Sequence, residues 1–116
     1  MSGEDFDDLV RRRCDLIKAV LTTKAGEYAS VDDRFHNFKN SVGLSFHTGP
    51  EKIAWEFAVK HFRSLKDIMD HVETGYNGYP TEDMIEEKIG DAINYLILIE
   101  GMIKERIREH GMLKNS

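Results

Sequence analysis

The sequence predicts an all-α protein of four helices, bundle-like, with two long helices in its carboxyl-terminal half. Apolar residues recur every three or four positions through most of the chain, and no strand-like alternation, internal repeat or low-complexity tract interrupts them. Hydrophobic residues make up 41% and charged residues 32%, a balance typical of a soluble helical protein. At 116 residues we expect a single domain, residues 1–116, with a polar tail from about 111.

Charge and cysteine content exclude several classes of protein. The formal net charge of -5 argues against a nucleic-acid coat protein, although a local basic pocket for a small anion stays compatible with it. Cys14 is the single cysteine, and no Cys/His spacing resembles a zinc site. The acidic start lacks the basic region of a secretory signal, and the apolar run from Tyr95 to Ile99 is too short to cross a bilayer. We therefore expect a cytoplasmic protein without membrane contact.

The first helix is predicted from Ser2, as a cap followed by acidic residues, to about Thr22. Its helical periodicity comes from Phe6, Leu9, Val10, Ile17, Val20 and Leu21. Arg11, Arg12 and Arg13 invite a nucleic-acid interpretation. Because Asp8 and Asp15 lie a turn away, a solvated, ion-paired helix face is the favoured interpretation.

The second helix is predicted from Val31 to about Leu44, capped by Ser30, after a loop that Gly26 begins. Two sets of side chains would lie on opposite sides of it: Val31, Phe35, Phe38 and Val42 on one, and Asp33, His36, Asn37 and Asn40 on the other. The apolar side can anchor the helix in a core. The polar side can form one wall of a site.

The third helix is predicted from about Gly49 to Thr74, with Thr48 as N-cap and Glu51 completing a capping box. Its apolar face comprises Ile53, Ala54, Phe57, Ala58, Phe62, Leu65, Ile68, Met69 and Val72. His61 falls within that face, either as a hydrogen-bonded core histidine or as a ligand contact. Lys60, Ser64, Asp67 and His71 follow the margin, either as a solvated edge or as donors for an oxyanion.

The fourth helix is predicted from the cap Thr81 to about His110, after a glycine- and aromatic-rich loop at 75–80. A stripe predicted to face the core contains Ile85, Ile89, Ala92, Leu96, Ile99 and Ile103. From Ile93 to Met102 the helix is apolar nearly all round, so it is either central or covered by another subunit. We expect a homo-oligomer.

On the same helix, Glu87, Asp91 and Asn94 are spaced i, i+4, i+7 and share a face. Carboxylates near a core are costly unless they are paired, protonated or bound to a cation. One alternative is Mg²⁺, which often takes one or two carboxylates plus substrate phosphates. The other is a buried strut, in which Asp91 pairs with Arg34, Lys60 or His61.

Four separated pieces of sequence resemble the first class of a phage-associated family, the nucleotide modification associated domain. They are Lys24-x-x-Glu27-Tyr28, Asp33-Arg34-Phe35-x-Asn37-Phe38, Lys60-His61 with Ser64 and Asp67, and Glu87-Lys88-x-x-Asp91-x-x-Asn94-Tyr95. The resemblance covers about residues 24–105. It implies a small all-α protein from phage or prophage, linked to nucleotide metabolism or modification.

The fourth helix is also distantly similar to that of the MazG-like all-α nucleotide pyrophosphohydrolases. Those enzymes hold Mg²⁺ against a nucleotide triphosphate with two helices that each bear a close pair of acids. Here Glu87 and Asp91 are one residue further apart than the usual second pair. The third helix offers Lys60, His61, Ser64 and Asp67 where the first acidic pair would stand.

Together these patterns predict a nucleotide-binding protein that acts on or holds nucleotide phosphates. Phosphate or nucleotide contacts are assigned to Arg34, His36, Asn37, Lys39, Lys60, His61, Ser64 and Asn94. Metal binding is assigned to Asp33, Glu87 and Asp91, and Mg²⁺-dependent hydrolysis would use Glu87 and Asp91 as catalytic residues. Two alternatives stay open: a non-enzymatic sponge that sequesters a nucleotide signal of host antiviral defence, and a protein-interaction module whose polar clusters are internal struts.

Overall fold

Helices form all the regular structure in the described parts of the chain. The computed structural model describes residues 1–24, 33–44, 47–75 and 78–111. Its helices are α1 (Gly3–Lys18), α2 (His36–Ser41), α3 (Pro50–Thr74) and α4 (Glu82–Glu109). A π-helical turn, Ala19–Lys24, extends α1, and a 3-10 turn, Val42–Leu44, extends α2. The prediction of an all-α fold with four helices, two of them long, is confirmed.

The two long helices form an antiparallel hairpin. Glu51, near the start of α3, forms an ion pair with Arg106, near the end of α4, with 3.1 Å between Oε1 and Nε. Midway along both helices, the rings of Phe57 and His61 stack on that of Tyr95. Ala54, Ala58 and Ala92 are small and buried, which lets the two backbones approach closely. The buried residues are Ile53, Ala54 and Ala58 on α3 and Gly90, Ala92 and Met102 on α4.

Helices α1 and α2 meet α4 at two glycines. A Cβ atom added at Gly90 would lie 2.9 Å from Nη1 of Arg13 on α1. A Cβ atom added at Gly101 would lie 2.7 Å from Cζ of Phe35, which precedes α2. The anchoring role predicted for Phe35 is therefore realised against α4. Helix α1 buries none of its residues, so its attachment depends on polar contacts more than on apolar packing.

Two of the predicted helix caps are confirmed and one is wrong. Ser2 Oγ accepts a hydrogen bond from the backbone N–H of Asp5 at 3.0 Å, and Thr81 Oγ1 accepts one from Met84 at 3.2 Å. The N-cap of α3 is Gly49, without a side-chain cap, and Thr48 lies one residue earlier. Glu51 does not close a capping box because its carboxylate pairs with Arg106.

The second helix starts later than predicted. A side-chain oxygen of Asp33 accepts a hydrogen bond from the backbone N–H of Phe35 at 2.9 Å, which makes a turn ahead of His36. Such turns offer the backbone an alternative to helix at Asp and Asn positions. Ser30, Val31 and the predicted loop at 25–29 lie outside the described residues, as do 76–77 of the second loop and 112–116 of the tail.

The stripe predicted to face the core on α4 is largely exposed. Of its members Ala92 is buried, whereas Ile85, Leu96 and Ile103 are exposed. The residues of α4 that face α3 are instead Asp91, Tyr95 and Met102. Each of them directly precedes a member of the predicted stripe. No helix in the described ranges has both the length and the hydropathy that crossing a bilayer requires.

Candidate functional site

A cleft between α1 and α4 contains three of the residues predicted to form a site. Glu87, Asp91 and Asn94 line its α4 side; we call these three the cleft row. The cleft encloses about 290 Å³, and its other lining residues are Arg12, Arg13, Leu16, Ile17, Val20, Asp83, Glu86 and Gly90. A second groove of about 620 Å³ shares Arg12, Arg13 and Glu86 with it. The spacing i, i+4, i+7 therefore does place these side chains on one surface.

Asn94 gives this cleft an unpaired acceptor. Its Oδ1 atom is buried and has no hydrogen-bond partner among the described residues. Leaving a buried acceptor unpaired costs about 1–3 kcal/mol, and the large majority of such groups in folded proteins are paired. This oxygen is shielded from solvent, so the unpaired group is internal to the packing beside the cleft.

Two arginines of α1 complete the opposite wall, and they were not among the predicted site residues. Arg12 forms a two-point ion pair with Glu86, with 3.0 Å between Nη2 and Oε1, and Arg13 donates to the backbone carbonyl of Glu86 at 3.2 Å. The hydrogen bond from Arg12 lowers the pKa of Glu86, and the same bond raises the pKa of Arg12. Arg11 does pair locally, with Asp8, as the ion-paired interpretation predicts.

The pattern of α1 holds a signal that identifies Arg13. It lies four residues after Leu9 and four before Ile17, within the apolar periodicity of the helix. A cation in the stripe of a helix that faces its neighbour is expected to meet a polar group there. The run of three arginines hides this signal because Arg11, two residues away, does face solvent.

Asp91 faces α3 as well as the cleft. Its Oδ2 atom lies 3.7 Å from Nδ1 of His61, within ion-pair range but longer than a hydrogen bond. The Asp91 side chain is 37% exposed, so it is not a buried strut, although His61 is one of the three partners considered for it. Burial, and secondarily the charge of Asp91, raise the pKa of Tyr95.

Aromatic rings surround this point of α4. Tyr95 stacks on His61 at 5.0 Å between ring centroids and on Phe57 at 6.0 Å, and it meets Phe38 edge-on at 6.3 Å. The exposed Lys60 holds its Nζ atom 5.3 Å from the centroid of the Phe57 ring, a cation–π geometry. His61 thus lies beside Asp91 and Tyr95, and neither it nor Lys60 lines the cleft.

Ser64, one turn further along α3, has its hydroxyl engaged by the helix. Its Oγ atom donates to the backbone carbonyl of Lys60 at 3.3 Å. This local bond is common for serine within helices. The hydroxyl can still accept a hydrogen bond.

Asp33 and Lys39 belong to a separate group of charges, which joins the α2 segment to α4. Lys39 Nζ donates to Asp33 Oδ2 at 2.7 Å and also to Glu105 Oε1; we call these three residues the Lys39 cluster. Hydrogen bonds from Lys39 and from the Phe35 backbone lower the pKa of Asp33, and the two carboxylates raise that of Lys39. Glu105 is fourteen residues from Asp91, about 21 Å along the helix axis. The predicted walls of the site therefore form two groups.

The remaining residues predicted for nucleotide contacts lie on or just before α2, outside the lining of the cleft. Arg34 and Asn37 are exposed. His36 Nε2 lies 2.9 Å from Nδ2 of Asn40. The α2 residues thus neighbour the Lys39 cluster and not the cleft row.

The carboxylates of the cleft row are of the ligand type that Mg²⁺ takes in proteins. Glu87 and Asp91 lie one helical turn apart and both line the cleft. No group of three or more His, Cys, Asp or Glu side chains converges as a metal site within the described ranges. Mg²⁺ commonly completes its octahedron with water and substrate phosphates.

Comparison of the chain with models of protein families, with characterised proteins and with solved structures finds no match.

Proposed function

We propose that this protein binds the phosphate groups of a nucleotide, with Mg²⁺, in the cleft between α1 and α4. The observation that carries the proposal is the placement of Glu87 and Asp91 opposite Arg13 in one cleft. A carboxylate pair suits the metal, and a guanidinium suits a phosphate oxygen. The resemblance to phage nucleotide-modification proteins supports the same ligand class.

The charges that line the cleft explain why the metal is part of the proposal. Arg12 is engaged by Glu86, which leaves Arg13 facing three carboxylates, Asp83, Glu87 and Asp91. A bare polyphosphate would be repelled by this surface. A divalent ion held by Glu87 and Asp91 would supply the positive charge that reverses that balance, so binding should depend strongly on Mg²⁺.

Hydrolysis of the nucleotide is the enzymatic form of the proposal. Glu87 and Asp91 would hold Mg²⁺ and orient a water molecule, which attacks the α-phosphorus as its bond to the bridging oxygen of the β-phosphate breaks. The products are a nucleoside monophosphate and pyrophosphate. This reaction is that of the MazG-like enzymes, which the fourth helix resembles distantly.

Calorimetry of the full chain with a panel of nucleoside triphosphates tests the proposal. We expect binding in Mg²⁺ that is lost with a chelator, and an affinity at least about tenfold lower for Asp91→Asn, because a charge-assisted contact is worth about 1.5–3 kcal/mol. Asp70→Asn is the matched control, since this aspartate pairs with Lys66 at 3.3 Å on α3 outside the cleft. Equal affinity in wild type and Asp91→Asn, or no binding to any nucleotide, contradicts the proposal.

The aromatic cluster favours a second function, sequestration of a nucleotide without turnover. Stacked rings at Tyr95, Phe57 and His61, with Lys60 at their edge, can hold a base and a phosphate without a metal. Such a sequestering protein would bind cyclic or linear nucleotides equally well in the presence and in the absence of a chelator of divalent metals. Recovery of intact ligand after denaturation, together with weaker binding by Tyr95→Ala, distinguishes it from the Mg²⁺-dependent protein.

A further inference from the structure

The α3–α4 hairpin has a continuous apolar surface that the chain itself does not cover. On α3 it consists of Trp55, Phe62 and Met69, and on α4 of Leu96 and Ile103; we call these five residues the open face. Trp55 is 51% and Met69 60% exposed, and Leu96 is 45% exposed. Large apolar side chains are usually buried in folded proteins.

Both halves of the open face point to the same side of the hairpin. Each residue on α3 directly follows one that faces α4: Trp55 follows the buried Ala54, and Phe62 follows His61. On α4, likewise, Leu96 follows Tyr95 and Ile103 follows the buried Met102. One residue turns a helix by about 100°. Two antiparallel helices are related by a two-fold axis perpendicular to the plane that contains them. The same turn of about 100° on each helix therefore brings both stripes to the same side of the hairpin.

The spacing along each helix is that of a bundle seam. Apolar residues on α3 alternate in steps of three and four, at Trp55, Ala58, Phe62, Leu65, Met69 and Val72. Those on α4 do the same, at Ile85, Ile89, Ala92, Leu96, Ile99 and Ile103. This repeat is the pattern by which helices pack in coiled coils and four-helix bundles. A hairpin of two helices supplies half of such a bundle.

The surface area agrees with a missing partner. The chain exposes 8845 Å², whereas a compact monomer of 13.4 kDa exposes about 6,500 Å². Its radius of gyration is 17.0 Å, against about 13 Å for a compact domain of this length. The excess, to which the unburied α1 also contributes, is larger than the roughly 800 Å² per partner that a standard interface removes.

The charges beside the open face favour a partner that is itself uncharged at this surface. Lys66 pairs with Asp70, and Glu100 pairs with Lys104, each within one helix. These pairs edge the apolar stripes and neutralise themselves, so they require no charged partner. A polar rim around an apolar centre is the usual anatomy of an interface between proteins.

We propose that the open face is a homodimer interface, in which two hairpins pack face to face into a four-helix bundle. A second copy of this chain meets every requirement: it is apolar, has the same seam spacing and offers two stripes related by a two-fold axis. An isologous contact places the same patch on both subunits. The nucleotide cleft lies on another side of α4, so this inference does not rest on the proposed function.

Sedimentation equilibrium of the full chain tests the interface. We expect a wild-type mass twice the 13.4 kDa of the chain and a dimer dissociation constant at least about tenfold higher for Leu96→Glu, because a buried, unpaired charge is costly. Ile97→Glu is the matched control: this neighbour is 42% exposed but points about 100° away. It should leave the dimer unchanged.

Each other outcome is decisive. A monomeric wild type, equal weakening by both variants, or an assembly that survives Leu96→Glu would overturn the proposal. Should Leu96→Glu lose helical circular dichroism, Met69→Gln replaces it, because a side chain this exposed is not needed to fold one copy. A dimer of unchanged affinity in that variant would also overturn the inference.

Discussion

The Lys39 cluster and the cleft row are both held by α4, about four turns apart, yet they differ in how their polar groups are satisfied. In the Lys39 cluster one ammonium group bonds two carboxylates, and Asp33 also accepts from a backbone N–H. In the cleft row Asn94 Oδ1 has no partner among the residues that the structure describes, and Asp91 lies beyond hydrogen-bond distance of His61. The difference indicates that the polar groups of the Lys39 cluster fix structure, whereas those of the cleft row use less of their bonding capacity within the described residues.

The two glycines of α4 give the largest expected contrast between these regions. In Gly101→Ala the new methyl group meets the rigid ring of Phe35, so we expect a loss of about 1–3 kcal/mol in the free energy of unfolding. In Gly90→Ala it meets the end of the flexible Arg13 side chain, which can move, and alanine gains up to about 1 kcal/mol in helix propensity. Urea unfolding of both variants measures the contrast.

A second-site change makes this test specific. Phe35→Leu should restore part of the stability that Gly101→Ala loses, because the smaller side chain leaves room for the methyl group. It should have no such effect on Gly90→Ala. If Gly101→Ala is as stable as wild type, Phe35 does not anchor α2 in the way the structure indicates.

Removal of the central cation tests the structural role of the Lys39 cluster. Lys39→Met leaves two carboxylates beside each other, and we expect a loss of about 1 kcal/mol or less, since the group is partly solvated. Nucleotide affinity should not change. Lys66→Met is the matched control, because its single i, i+4 pair with Asp70 is worth about 0.3–0.5 kcal/mol. A loss of nucleotide binding in Lys39→Met would join the two regions into one site.

The smallest expected effect is the pH dependence contributed by Asp33. Its folded-state pKa is lowered, so its contribution to stability is present above its unfolded pKa, about 3.9, and is lost as pH falls through the folded value. The stability difference between wild type and Asp33→Asn should therefore be constant near neutral pH and shrink below about pH 4. Denaturant unfolding at several pH values measures it. A difference that grows on acidification would contradict the assignment.

The starts of α1 and α4 and the cleft row were predictable from the sequence because each depends on local pattern. Ser2 and Thr81 cap through their own side chains, and Glu87, Asp91 and Asn94 share a face whatever packs against it. Which helix each apolar face contacts was not predictable from the sequence. The apolar stripes of α3 and α4 are wider than one contact can bury, so their pattern does not say which residues meet the other helix.

Long-range pairing accounts for the other differences. Glu51 fits a capping box by spacing alone, but Arg106, fifty-five residues away, takes its carboxylate. Arg12 likewise bonds Glu86 across seventy-four residues in place of a local acid. Sequence spacing describes the contacts a residue has within its helix, and these two side chains bind groups on another helix.

The attachment of α1 also has a consequence for folding. The contacts within the α3–α4 hairpin join residues such as His61 and Asp91, thirty positions apart, whereas α1 reaches α4 across more than seventy. Closing the longer loop costs more chain entropy, and α1 brings no buried residue to offset it. We expect the hairpin to form first and α1 to dock last, and local unfolding to release α1 before the rest. The cleft would then be the last part of the protein to form and the first to open.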